Sequence, residues 1–141
     1  MKPPEEVKRE LVRQWLDKAE GDYRLVQHLA SDQTEFFGAI GFHSQQAVEK
    51  FLKAMLVWHQ VEFPKTHDMQ ELLDLLARSE PDVARSLQDA TVLSGYSVDV
   101  RYPSDMPQIS LEDAKRAAEL ASEVRKTILN ALQGHDAQSA C

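Results

Sequence analysis

Apolar side chains recur every three or four residues over most of this chain, the spacing that lines up one face of an α-helix. Val7, Leu11, Trp15, Ala19, Tyr23, Val26 and Leu29 make the first such stripe, behind Pro3 and Pro4, which suit a helix start. The polar run Ser31-Asp32-Gln33-Thr34-Glu35 ends it, and a second helix is predicted from about Phe36 to Trp58. After Pro64 and Lys65, Asp68 with Glu71 three residues on reads as a capping box opening a third helix with Leu72, Leu73, Leu75 and Leu76. Pro81 fits the first turn of a fourth helix carrying Val83, Leu87, Ala90 and Leu93. Gly95 to Ile109, with a glycine, two prolines and an alternating apolar stretch, is the one extended, irregular segment. Ser110 with Asp113 is a second capping signal. It opens a final helix with Ala114, Ala117, Ala118, Ala121, Val124, Ile128 and Leu132. Gly134 is expected to close that helix and leave His135 to Cys141 as a disordered tail.

The pattern predicts an all-α fold: an up-and-down four-helix-type bundle with an additional short helix, five helices in all. One domain over residues 1–133 and a tail over 134–141 account for the 141 residues. Only 5 glycines and 6 prolines argue against an all-β alternative, which needs frequent turns. A formal net charge of −7 opposes whole-molecule attraction to nucleic acid but permits a local basic patch. The single cysteine, Cys141, excludes an internal disulfide and a cysteine zinc site. No apolar window approaches the roughly 18 residues of a membrane span, and MKPPEEVKRELVRQW lacks a signal-peptide core, so a cytoplasmic location is expected.

On the second helix, Ile40, Ala47, Phe51, Ala54 and Trp58 share a narrow arc that Phe37, Ser44, Val48, Leu52 and Met55 widen to half the circumference or more. An arc that wide suggests burial on two sides, and a second copy of the chain is the expected cover. The alternative is that this is simply the central helix of the bundle. The remaining arc carries His43, Gln46, Lys50 and Lys53, three, four and three residues apart, a row suited to an anion or a phosphodiester. The competing reading is a solvated face in which Glu49 pairs Lys53 one turn away. His67, in Pro64-Lys65-Thr66-His67-Asp68, stands at a helix entrance where backbone N–H groups favour anions. In Tyr96-Ser97-Val98-Asp99-Val100-Arg101-Tyr102-Pro103, Arg101 can clamp a phosphate and the tyrosines can stack a base. No metal-ligand spacing, phosphate loop, dinucleotide fingerprint or serine-hydrolase elbow occurs, so neither metal nor cofactor is expected.

Three segments together carry a family resemblance: Phe42-His43-Ser44-Gln45-Gln46-Ala47-Val48-Glu49-Lys50-Phe51-Leu52-Lys53-Ala54, Pro64-Lys65-Thr66-His67-Asp68, and Val100-Arg101-Tyr102-Pro103. With Ala19-Glu20-Gly21-Asp22-Tyr23 upstream, the chain from about Leu11 to Leu132 resembles the HEPN (higher eukaryotes and prokaryotes nucleotide-binding) domain family. The resemblance implies a helical bundle, usually a homodimer, that binds nucleotides or cleaves RNA. It also implies a frequent role as one half of a toxin–antitoxin pair beside a small nucleotidyltransferase-fold protein. It adds weight to His43, Gln46, Lys50, His67, Arg101 and Tyr102. Ribonuclease relatives carry an arginine and a histidine with four to six residues between them; here Arg24 and His28 have only three between, and Tyr102-Pro103-Ser104-Asp105-Met106 after Arg101 holds no histidine.

Three functions compete on this footing. The first is a homodimeric nucleotide- or RNA-binding module using His43, Gln46, Lys50, Lys53, His67, Arg101 and Tyr102, with a nucleotidyltransferase-fold partner. The second is a metal-independent ribonuclease with His43 or His67 as acid–base and Arg101 or Lys50 as phosphate clamp. The third is a non-catalytic helical interaction scaffold.

Overall fold

The computed structural model of the chain describes residues 3–31, 35–96 and 109–139. Every regular element among these residues is a helix: α1 (Pro4–Ser31), α2 (Phe37–Trp58), α3 (Met69–Ala77), α4 (Pro81–Ser86), a 3₁₀ helix (Gln88–Tyr96) and α5 (Leu111–Ser139). None of their helices is long and apolar enough to cross a membrane.

Side-chain pairs fix the directions of the long helices. His43 and Lys50 of α2 meet Asp22 of α1, whereas Lys8 near the start of α1 lies over Trp58 at the end of α2, so the two run antiparallel. Arg125 of α5 pairs with Glu20 and Asp136 with Arg9, so α5 also opposes α1. Three short pieces, α3, α4 and the 3₁₀ helix, return the chain between α2 and α5.

Among the described residues six helical elements therefore stand where five were expected, because the anticipated fourth helix splits. Leu87 ends α4, and the apolar positions Leu87, Ala90, Leu93 and Tyr96 then recur every three residues. A period of three stays on one face of a 3₁₀ helix but drifts around an α-helix, and Leu87, Ala90 and Leu93 are all buried.

Both expected N-caps form, but the box at α3 is not completed by Glu71, because Asp68 N–H bonds Thr66 Oγ1 at 3.0 Å instead. Asp68 caps α3 by accepting from the backbone N–H groups of Gln70 and Glu71. At α5 the exchange is reciprocal: Ser110 Oγ accepts from Asp113 N–H at 3.1 Å, and Asp113 Oδ2 from Ser110 N–H at 3.2 Å. The end signal at Gly134 fails. A glycine stop needs a positive φ, which no described glycine adopts, and α5 continues to Ser139. The extra turn is anchored by His135 on Glu80 and Asp136 on Arg9, so residues 135–139 are helical rather than a disordered tail.

The wide apolar arc of α2 is also accounted for inside the chain. Phe51, Leu52, Met55 and Leu56 are fully buried with Leu72, Leu73 and Leu76 of α3, Leu93, and Leu120, Val124 and Ile128 of α5. A smaller cluster of Val26, Ile40 and Ala114 closes the other end. The α2 helix is thus the central helix, and its width is no ground for expecting a second copy.

Gln60 ends α2 in the left-handed region, with φ of 58°. Val61 N–H bonds Leu56 C=O and Gln60 N–H bonds Val57 C=O, the paired closure that satisfies the last carbonyls of a helix. That closure holds His59 at the carbonyl end of α2.

Candidate anion-binding cleft

The polar row of α2 lies against α1 on one side and the 65–67 connection on the other. Gln46, Lys50 and Lys53 line a cleft of about 310 Å³ with Trp15, Glu49, Lys65, Thr66 and His67. That is the lower end of the roughly 300–1,000 Å³ range of small-molecule sites. Lys50, Lys53 and Lys65 supply its cations, and Trp15 adds an aromatic wall.

Two carboxylates organise two of these cations. Asp22 Oδ2 accepts from Lys50 Nζ, and its Oδ1 lies 3.0 Å from His43 Nδ1. Glu49, only 3% exposed, accepts from Lys53 Nζ at 3.1 Å, and the same Oε1 lies 3.1 Å from His67 Nδ1. Lys53 Nζ also stands 5.5 Å from the ring centres of both Trp15 and Phe63. A buried carboxylate is tolerated when it is paired and hydrogen-bonded, as Glu49 is.

Of the row expected from spacing, Gln46, Lys50 and Lys53 line the cleft. Lys53 does pair with Glu49, as the solvated-face reading held, but both are largely buried rather than solvated. Gln46 spends one amide hydrogen on Gln45 Oε1 at 2.9 Å. His43 sits on the far side of Asp22 and is not part of the cleft wall. His67 is in the wall, 61% exposed at its side chain, yet the α3 entrance beside it is occupied by the protein itself. Asp68 takes the Gln70 and Glu71 amides, and Ser94 Oγ takes Met69 N–H, so those amides are not open to a ligand. Arg101 and Tyr102 fall outside the described residues.

Sequence reasoning did not place Trp15 or Asp22 at the site. Trp15 reads as one more apolar stripe position, and Asp22 is a lone acid on a helix whose partners lie 21 and 28 residues away. His43 and His67 pair with different carboxylates, Asp22 and Glu49. Among the described residues the histidines that converge on one acid are His59 and His135, on Glu80.

An all-helical domain with a lysine-lined cleft on its central helix has the makings of a nucleotide- or RNA-related module. The comparison with known families agrees: the HEPN domain profile matches residues 12–132, and the chain belongs to that family. Among solved structures, the protein TT1696 of Thermus thermophilus is similar at a TM-score of 0.65 and 26% identity, with 84% of this chain and 96% of that one covered. No curated protein matches the chain.

Proposed function

We propose that the cleft on α2 binds the phosphate of a nucleotide or of an RNA, with Lys50, Lys53 and Lys65 as cationic donors, Gln46 and His67 as further polar contacts, and Trp15 as a surface for a base. The observation that carries this reading is the convergence of three lysines from two separate segments on one cleft beside an aromatic ring. Asp22 and Glu49 balance two of the lysines, so a phosphate would take over hydrogen bonds that those carboxylates now receive. Arg101 and Tyr102 belong to the same proposal through the family resemblance. So does action as a homodimer beside a nucleotidyltransferase-fold partner in a toxin–antitoxin-type pair.

Titration with ATP, GTP and a short RNA tests it, with Lys50→Ala, Lys53→Ala and Lys65→Ala alongside. Removal of one charge-assisted contact is expected to weaken binding by about tenfold or more, and affinity should fall with added salt. Absence of binding at millimolar ligand, or binding indifferent to all three substitutions, would discard the reading.

One observation favours a second reading, the ribonuclease. A carboxylate can only accept, so Glu49 fixes the proton of His67 on Nδ1 and leaves Nε2 as the basic nitrogen of an exposed ring. That is how a carboxylate orients an acid–base histidine. RNA cleavage in EDTA that disappears in His67→Ala would establish it; cleavage that persists there and in His43→Ala would remove both histidines from the chemistry.

A further inference from the structure

Away from the cleft, His59, Glu80 and His135 bring together one ligand atom each, all within 4.8 Å of one another. They come from three elements: His59 ends α2, Glu80 precedes α4, and His135 lies in the last turns of α5. Both imidazole Nε2 atoms address the same carboxylate oxygen, Glu80 Oε1, at 3.2 Å from His59 and 2.6 Å from His135. All three side chains are mostly covered, between 16% and 27% exposed.

We infer that His59, Glu80 and His135 form a binding site for a first-row divalent transition cation, with zinc as the best-matched ion. Two imidazoles and one carboxylate are a borderline-soft nitrogen and oxygen set that suits zinc and leaves a fourth position for water. Bonds of about 2.0–2.1 Å in a tetrahedron separate neighbouring ligand atoms by about 3.4 Å. The His59–Glu80 edge already has nearly that length, and the His135–Glu80 edge reaches it by opening less than an ångström. With zinc bound, each neutral ring carries its proton on Nδ1 instead of Nε2, and the freed Nε2 lone pair faces the ion, so no proton need leave the protein.

Two local features agree with a cation here. Glu80 occupies the position before α4 where a side chain commonly caps the helix, yet it makes no cap bond and turns to the histidines instead. His59 stands at the carboxyl end of α2, where the helix dipole favours positive charge. Charged groups near the cluster include Lys8 and Arg9, over the Trp58 ring at 4.1 and 5.2 Å and both paired with Glu5, and Asp136, which pairs Arg9 at 2.7 Å. Trp58 in turn lies 5.7 Å from the His135 ring. Glu5 offsets Lys8 at 3.2 Å, and Glu5 and Asp136 both offset Arg9, so neither cation stands uncompensated against an ion. The bound ion would tie the ends of α2 and α5 to the α3–α4 turn.

The test is calorimetric titration of the full chain with ZnCl₂, and with MgCl₂ as the hard-cation control. It is run in a Cys141→Ser background so that a thiolate contributes nothing. One equivalent of zinc at micromolar affinity or tighter, no comparable magnesium binding, and a rise in melting temperature with zinc are expected. Glu80→Gln, His59→Gln and His135→Gln should each weaken zinc about tenfold or more. Binding should also weaken at pH 5, where protons compete for the ring nitrogens. Should a variant fail to fold, zinc protection of His59 and His135 from diethyl pyrocarbonate in the parent protein gives the same answer. Zinc that binds no tighter than magnesium, or equally well to all three variants, or without shielding these two histidines, overturns the assignment.

Discussion

Asp22 of α1 accepts a hydrogen bond from Lys50 of α2, a residue 28 positions further along the chain. The pair stitches the two longest-packed helices together and at the same time restrains a cation of the cleft. Asp22→Asn keeps the shape and removes the charge. Its expected effect is a loss of about 1–2 kcal/mol in stability, read by urea unfolding, because a partly buried lysine loses its counter-ion. Phosphate affinity should rise in the same variant, since Lys50 no longer answers to a carboxylate. A fall in both would show that Asp22 places Lys50 rather than competing for it.

Gln60 closes α2 at a φ of 58°, which a side chain disfavours and glycine does not. Gln60→Gly should therefore stabilise the protein by about 0.5–1 kcal/mol, against the usual direction for a substitution to glycine. Thermal unfolding of the pair of proteins decides it.

Two glycines on neighbouring helices should respond oppositely to alanine. Around Gly21 of α1 a Cβ meets nothing within 4 Å, so Gly21→Ala should add about 0.5–1 kcal/mol through helix propensity. At Gly41 of α2 the same atom would stand 2.7 Å from Ile109 Cδ1 and 3.3 Å from Tyr96 Cγ. Gly41→Ala should lose that gain to crowding, and Gly41→Val should cost about 1–3 kcal/mol. Equal melting temperatures for Gly21→Ala and Gly41→Ala would contradict the close packing at Gly41.

Tyr96 supplies a pH dependence. Burial first, and the negative charge of Asp113 second, push its phenol above the ordinary 10.0. A raised pKa means that the folded state holds the proton more tightly than the unfolded chain. The stabilisation is complete below pH 10 and is lost as the pH climbs through the raised value. Tyr96→Phe keeps the ring and should show a shallower fall in stability above pH 10 than the parent protein.

In the core, Phe51 and Leu73 are fully buried in the main cluster. Phe51→Ala should cost about 3–5 kcal/mol and Leu73→Ala about 2–5 kcal/mol, measured by chemical denaturation. Losses below 1 kcal/mol would mean that neither side chain is packed as described.

What the chain disclosed in advance follows the reach of the forces involved. Caps at Asp68 and Ser110 and the proline at the start of α4 act within one turn, and all were legible as short patterns. The polar row of α2 was legible too, because helical spacing alone aligns Gln46, Lys50 and Lys53. Gly134 misled because a stop signal is conditional: the turn beyond it is held by Glu80 and Arg9, residues far off in sequence. Asp22 behind Lys50, and Glu80 between two histidines, are meetings between distant segments that no local spacing announces. The arc of α2 was correctly seen as wide, but pattern cannot tell whether a helix is covered by its own chain or by another.

The same coverage governs how the cleft would receive a ligand. Twelve of the 22 residues of α2 are buried, so the helix that projects Lys50 and Lys53 is clamped along its length by the rest of the fold. That burial restrains its backbone before any phosphate arrives. Little motional freedom is then lost on association, and discrimination among ligands falls to shape and charge rather than to an adjustable grip.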